Sequence, residues 1–115
     1  MEAGSRLLVL DLSQLRNVTL NDETLMREVV RALVSDASHQ IEELHRAVER
    51  EDVSACVRVA HSAHGACGNV GAASLAALFN AVEQYARQGD LDTCRSSVDN
   101  LEVELEKLRS EASSI

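Results

Sequence analysis

Residues 59–75 read VAHSAHGACGNVGAASL. At 100° per residue, Val53, Cys56, Val57, Val59, Ala60, Ala63, Ala66 and Cys67 gather on one face of a helix, and His61 falls roughly 135° from its centre. The imidazole is therefore expected at the surface. Gly65 falls roughly 175° from the same centre, so the residue one turn beyond His61 on the open side has no side chain. A glycine inside a helix costs about 1 kcal/mol relative to alanine. Room for something large to reach His61 is the simplest return on that loss. Gly68, Asn69 and Gly71 supply the permissive backbone of a tight turn, and this helix is expected to run to about Gly68 before a second one begins.

The flanking sequence extends the same pattern in both directions. Asp52 is a good cap for the helix carrying His61, and the short Glu51-Asp52 break forces the preceding helix to pack against it antiparallel. That preceding helix starts at Asn21 or Asp22 and carries Leu25, Val29, Leu33, Ala37, Ile41, Leu44 and Val48, with Met26, Val30 and Val34 widening the stripe. Ser35 to Ser38 is its weakest stretch and a candidate bend. His39 and His45 read as ordinary polar-face residues. After the tight turn, Leu75, Leu78, Phe79, Val82 and Tyr85 form the buried stripe of a helix ending near Gly89. Asp90 caps the last helix, with Leu91, Cys94, Val98, Leu101, Leu105, Leu108 and Ala112 on its inner side. At the other end of the chain, residues 1–10 read as a leader with a disordered tip. Asp11 then caps a short helix carrying Leu12 and Leu15, placed to cover one open end of a bundle. The expected fold is all-α: one domain over residues 1–115, an antiparallel up-down four-helix bundle with a short extra N-terminal helix.

Composition agrees with this and excludes several function classes. A chain of 115 residues without proline, rich in Leu, Val and Ala, suits a single helical core. The net charge is −8 and the basic residues are scattered, so nucleic acid is not an expected partner. The longest apolar run, Leu7 to Leu10, is too short to span a bilayer, and no signal-peptide core precedes it. Cys56 and Cys67 lie roughly 16 Å apart along one helix at 1.5 Å per residue, beyond disulfide reach. With Cys94 they read as buried free thiols of a reducing, cytoplasmic compartment.

The residues around His61 resemble the signature of the histidine-containing phosphotransfer (HPt) domains. That pattern is close to A-H-x-L-K-G, then small residues, then N-[ILV]-G-A and L, with a Glu or Gln and later an Arg on the following helix. Ala60, His61, Gly65, Asn69, Val70, Gly71, Ala72, Leu75, Glu83 and Arg87 stand at the matching places. Two positions depart from it: the family's lysine is His64 here and its leucine is Ala63. The resemblance covers most of the chain, from about Asp11 to the last helix. It implies a phosphoryl carrier in a His-Asp relay, with His61 phosphorylated on Nε2 and Glu83 accepting a hydrogen bond from Nδ1. Arg87 is then phosphate-proximal, as is Arg58 by its place one turn before His61 and His64 by its place one turn after. Gly65 and Gly68 permit close approach of a docking partner. The implied partners are a response-regulator receiver domain and a sensor or hybrid histidine kinase, with Mg²⁺ supplied by the receiver, no cofactor on this chain and no independent catalytic activity.

The chemistry of the residues is compatible with that reading. An unprotonated imidazole nitrogen is nucleophilic near neutral pH, and phosphoryl transfer needs positioning and charge neutralisation more than covalent help. His61 and His64 also form an i, i+3 pair, but no cluster of further ligands accompanies them and no metal site is expected. No serine or cysteine stands in a strained turn as a hydrolase nucleophile would. The competing reading is a non-phosphorylated HPt-like helical adaptor or protein-interaction module; retention of His61 argues against it. The initial methionine favours a free-standing protein over a domain tethered in a kinase, and a complete bundle within one chain favours a monomer.

Overall fold

A computed structural model describes residues 7–115, which form five α-helices and no strand. These are α1 (Leu12–Val18), α2 (Glu23–Glu49), α3 (Val53–Val70), α4 (Ala73–Arg87) and α5 (Leu91–Ala112). The four long helices close a ring in which α2 and α4 each pack against both α3 and α5, while α1 rests on α3. The connections within the ring span three, two and three residues. Phe79, Leu44, Leu75, Leu101, Leu108 and Val82 fill the space between them, all within 1% of complete burial.

The helix starts follow local chemistry. Asp11, Asp22, Asp52 and Asp90 each turn a carboxylate onto backbone N–H groups of the first turn of α1, α2, α3 and α5. Each such cap is worth about 1 kcal/mol. α4 has no side-chain cap at Ala72. There Ser74 N–H instead donates to the carbonyl of Leu8 at 2.9 Å, so the N-terminal segment satisfies a donor at the start of α4.

Several expectations shift in detail. The inner line of α2 runs through Met26, Val30, Leu33, Ala37, Ile41, Leu44 and Val48, leaving Leu25 exposed and Val29 half-buried. Both lines carry apolar residues, and the positions of α3 and α5 select between them. α2 is an unbroken helix through Ser35 to Ser38. In α3 the buried set is Ala55, Cys56, Val59, Ala60, Ala63 and Cys67, whereas Val53 and Ala66 are exposed and Val57 is half-buried. α3 also continues past Gly68 to Val70, and Gly71 in the left-handed conformation (φ +105°) ends it. α1 forms as expected with Leu15 fully buried, but Leu12 is exposed. The disordered tip expected for the leader lies at residues 1–6, outside the described residues; its described end includes a buried Leu10.

Candidate functional site

His61 occupies the middle of α3 on the side facing α4, and its side chain is 70% exposed. Its Nδ1 lies 3.1 Å from Oε2 and 3.3 Å from Oε1 of Glu83 on α4. Glu83 is itself only 4% exposed, so an outward ring is held from behind by an inward carboxylate. A buried carboxylate needs compensation. Arg87, one turn further along α4, supplies it by donating from Nε (3.1 Å) and Nη2 (2.7 Å) to Oε2 of Glu83. These hydrogen bonds hold the Glu83 carboxyl below the usual glutamate range; burial pushes the other way, and the nearby His61 adds to the lowering.

The protonation pattern of the ring follows. An ionised carboxylate can only accept, so Nδ1 carries the proton and donates it to Glu83. Nε2 is then left with its lone pair, on the ring edge turned away from Glu83 toward solvent. The ring and the carboxylate that holds it therefore come from adjacent helices, α3 and α4.

The other expected residues fall into three groups. His64 is half-buried one turn beyond His61, and Arg58 is exposed one turn before it. Gly65 is exposed, and a Cβ built on it would meet nothing within 4 Å. Gly68 is half-buried and faces α4, where an added Cβ would touch only the Ala76 Cβ at 4.0 Å, an ordinary contact. Arg87, expected near the phosphate, places its guanidinium on Glu83. Its i, i+4 spacing from Glu83 permits that pairing without by itself selecting it.

One supporting contact had no local signal. Gln14 of α1 donates from Nε2 to the carbonyls of Gly68 (2.7 Å) and Asn69 (3.2 Å), which would otherwise be orphaned at the end of α3. Asp11 N–H reinforces this by donating to the Gly71 carbonyl at 2.8 Å. Among the described residues, no group of three or more His, Cys, Asp or Glu is arranged to hold a metal ion, and no helix is long and apolar enough to cross a membrane.

The family model of the Hpt domain matches residues 28–111, which include His61, Glu83 and Arg87. Among solved structures, the chain is similar to histidine-containing phosphotransfer protein B from Pseudomonas aeruginosa PAO1. The two are 26% identical with a TM-score of 0.85, over 92% of each chain. No curated protein matches it. An imidazole standing out from a helical ring, backed by a buried carboxylate, is thus set in a sequence that matches one family along most of its length, and the chain belongs to the Hpt domain family.

Proposed function

We propose that His61 is the residue through which this Hpt protein performs histidine phosphotransfer in a two-component relay. The single observation that carries the assignment is the pairing of a 70% exposed ring with a buried glutamate at its Nδ1. The Nε2 lone pair attacks the phosphorus of an aspartyl phosphate, the bond from phosphorus to the carboxylate oxygen breaks, and the donor leaves as a carboxylate. No proton leaves Nε2, because Nδ1 already holds the ring's one proton. Positive charge develops on the ring as the N–P bond forms, and the Glu83 carboxylate is fixed in advance where it neutralises that charge. The reverse sequence hands the phosphoryl group to the next aspartate.

Glu83 is the orienting residue and Arg87 acts through it, holding the carboxylate ionised and in place. Arg58 and His64 flank His61 by one helical turn on either side and are the groups placed to face the phosphoryl oxygens. Gly65 keeps the approach clear, and half-buried Gly68 lies at the edge of the docking face. The scaffold is read as an antiparallel up-down four-helix bundle with α1 across one end, supported by the two- and three-residue connections of the ring. The partners are a receiver domain, which brings the Mg²⁺, and a sensor or hybrid histidine kinase; the chain works as a cytoplasmic monomer.

The test is incubation with a phosphorylated receiver domain or an active sensor kinase, with His61→Gln alongside. Label that is acid-labile and base-stable on the wild type and missing from His61→Gln is expected. Equal labelling of both would move the phosphoryl site away from His61, and label on neither would overturn the assignment in favour of an adaptor.

A further inference from the structure

The α2–α5 seam lies across the helix ring from the α3–α4 seam that carries His61. Toward the start of α2 and the end of α5 it opens into a cleft of about 480 Å³, within the size range of small-molecule sites. Arg27 and Arg31 line one side and Arg109 the other, while Val34, Ala112 and Ile115 give it an apolar wall.

Three guanidiniums around one cleft are out of character for a chain of net charge −8. Arg27 and Arg31 stand at i, i+4 on α2, where like charges repel. Among the described residues, no carboxylate comes within 4.0 Å of either, and Arg109 pairs with Glu106 of its own helix. Two of the three guanidiniums, those of Arg27 and Arg31, thus stand without a carboxylate partner among the described residues and against an apolar surface, a pairing that a solvated helix face does not require.

We propose that this cleft binds an organic phosphate, with the phosphate between the Arg27 and Arg31 guanidiniums and Arg109 opposite, and the body of the ligand against Val34, Ala112 and Ile115. All three cations are arginine, whose planar fork matches phosphate oxygens two at a time. Donors approaching from two walls suit a tetrahedral dianion better than a carboxylate, whose two oxygens lie in one plane and share one charge. The site is separate from His61 and does not depend on the phosphotransfer reading.

The test is titration of the ¹⁵N-labelled full chain, followed by amide shifts, with adenosine 5′-monophosphate, hexyl phosphate, inorganic phosphate, adenosine and an oligoglutamate peptide. Saturable shifts centred on residues 27–34 and 109–115 are expected with both organic phosphates, with inorganic phosphate at least tenfold weaker and adenosine inert. The order of the two organic phosphates distinguishes a nucleotide from an alkyl body. The Arg27→Gln/Arg31→Gln double variant, checked for an unchanged helical spectrum, should bind at least tenfold more weakly, and Arg109→Gln alone should weaken binding severalfold. His61→Gln should bind as the wild type does. Absence of saturable shifts, equal affinity for inorganic phosphate, tighter binding of oligoglutamate, or full binding by the double variant would each overturn the proposal.

Discussion

At the scale of single residues, the site divides its work between what is exposed and what is buried. In the proposed function His61 must meet a partner, while Glu83 must not be solvated away from it. Arg87 makes the second condition tolerable by donating twice to a carboxylate that burial alone would neutralise. The sign of the pH dependence follows from the lowered carboxyl. A native value below the unfolded one contributes stability that is complete above the ordinary glutamate value and is lost as pH falls through the native value. Glu83→Gln should therefore be less stable than wild type by about 1 kcal/mol near neutrality, with the difference vanishing in acid, as urea titrations at several pH values would measure. Glu83→Ala should in addition slow phosphorylation of His61 by about tenfold, the scale on which outer hydrogen bonds orient functional histidines, measured as the labelling rate from a phosphorylated receiver. Gly65 gives a second, opposite kind of result. The space around it is empty, so Gly65→Ala should gain about 1 kcal/mol of helix stability, or about 4 °C in Tm by calorimetry. Gly65→Phe should keep the fold and lose transfer, because the bulk stands on the approach to the imidazole. The exposure of His61 and the emptiness at Gly65 were legible in the sequence, since periodicity fixes which side of a helix a residue faces, whereas Glu83 was implied by the family resemblance alone. That Arg87 would spend its guanidinium on Glu83 depends on how deeply the carboxylate is buried, and burial is decided by the neighbouring helices.

At the scale of elements, the decisive feature is the join between α3 and α4. Gly71 is the left-handed cap of α3, and a Cβ there would come within 2.9 Å of the Asp11 carbonyl oxygen. Backbone strain and collision therefore act together, and Gly71→Ala should lose about 2 kcal/mol or more of unfolding free energy in urea titration. Its far-UV spectrum should stay helical, because α3 and α4 keep their other contacts. The start of α2 was open between Asn21 and Asp22, while the aspartate caps Asp11, Asp52 and Asp90 could be read directly, each standing one residue before an apolar position. Other features of the elements could not. The ties from Leu8, Asp11 and Gln14 to the start of α4 and the end of α3 join residues more than fifty positions apart, and no local pattern encodes them. The inner line of α2 had two apolar candidates one residue apart, and only the partner helices choose between Leu25 and Met26. Half-buried Ser74 likewise donates to buried Glu104 across the α4–α5 contact at 2.6 Å, a polar pair that resembles surface polarity when each helix is read alone.

At the scale of the whole molecule, the ring encloses all three thiols. Cys56, Cys67 and Cys94 are free and fully buried, and burial pushes Cys67 up to about 12 and Cys94 up to about 11. A thiol must be both ionised and reachable to react. Labelling of the native protein by an alkylating reagent at pH 8 should be slow for all three, and should rise together at the urea concentration that unfolds the domain; mass spectrometry of the labelled chain gives the count. One thiol reacting early would mean that part of the ring opens independently. The fold class was plain from composition and from five stretches of helical periodicity, since a chain without proline offers few other arrangements. The arginine cleft between α2 and α5 was not, because Arg27 and Arg31 are separated from Arg109 by most of the chain and only the closed ring brings them together.

The openness of the imidazole also sets a clock. In the proposed function, a phosphoryl group attached to a ring that is 70% exposed faces bulk water. The energy of the N–P linkage is then held for as long as hydrolysis allows. Signal that reaches this carrier is either passed on promptly or decays, so the fidelity of transmission is a race between collision with the next acceptor and attack by solvent.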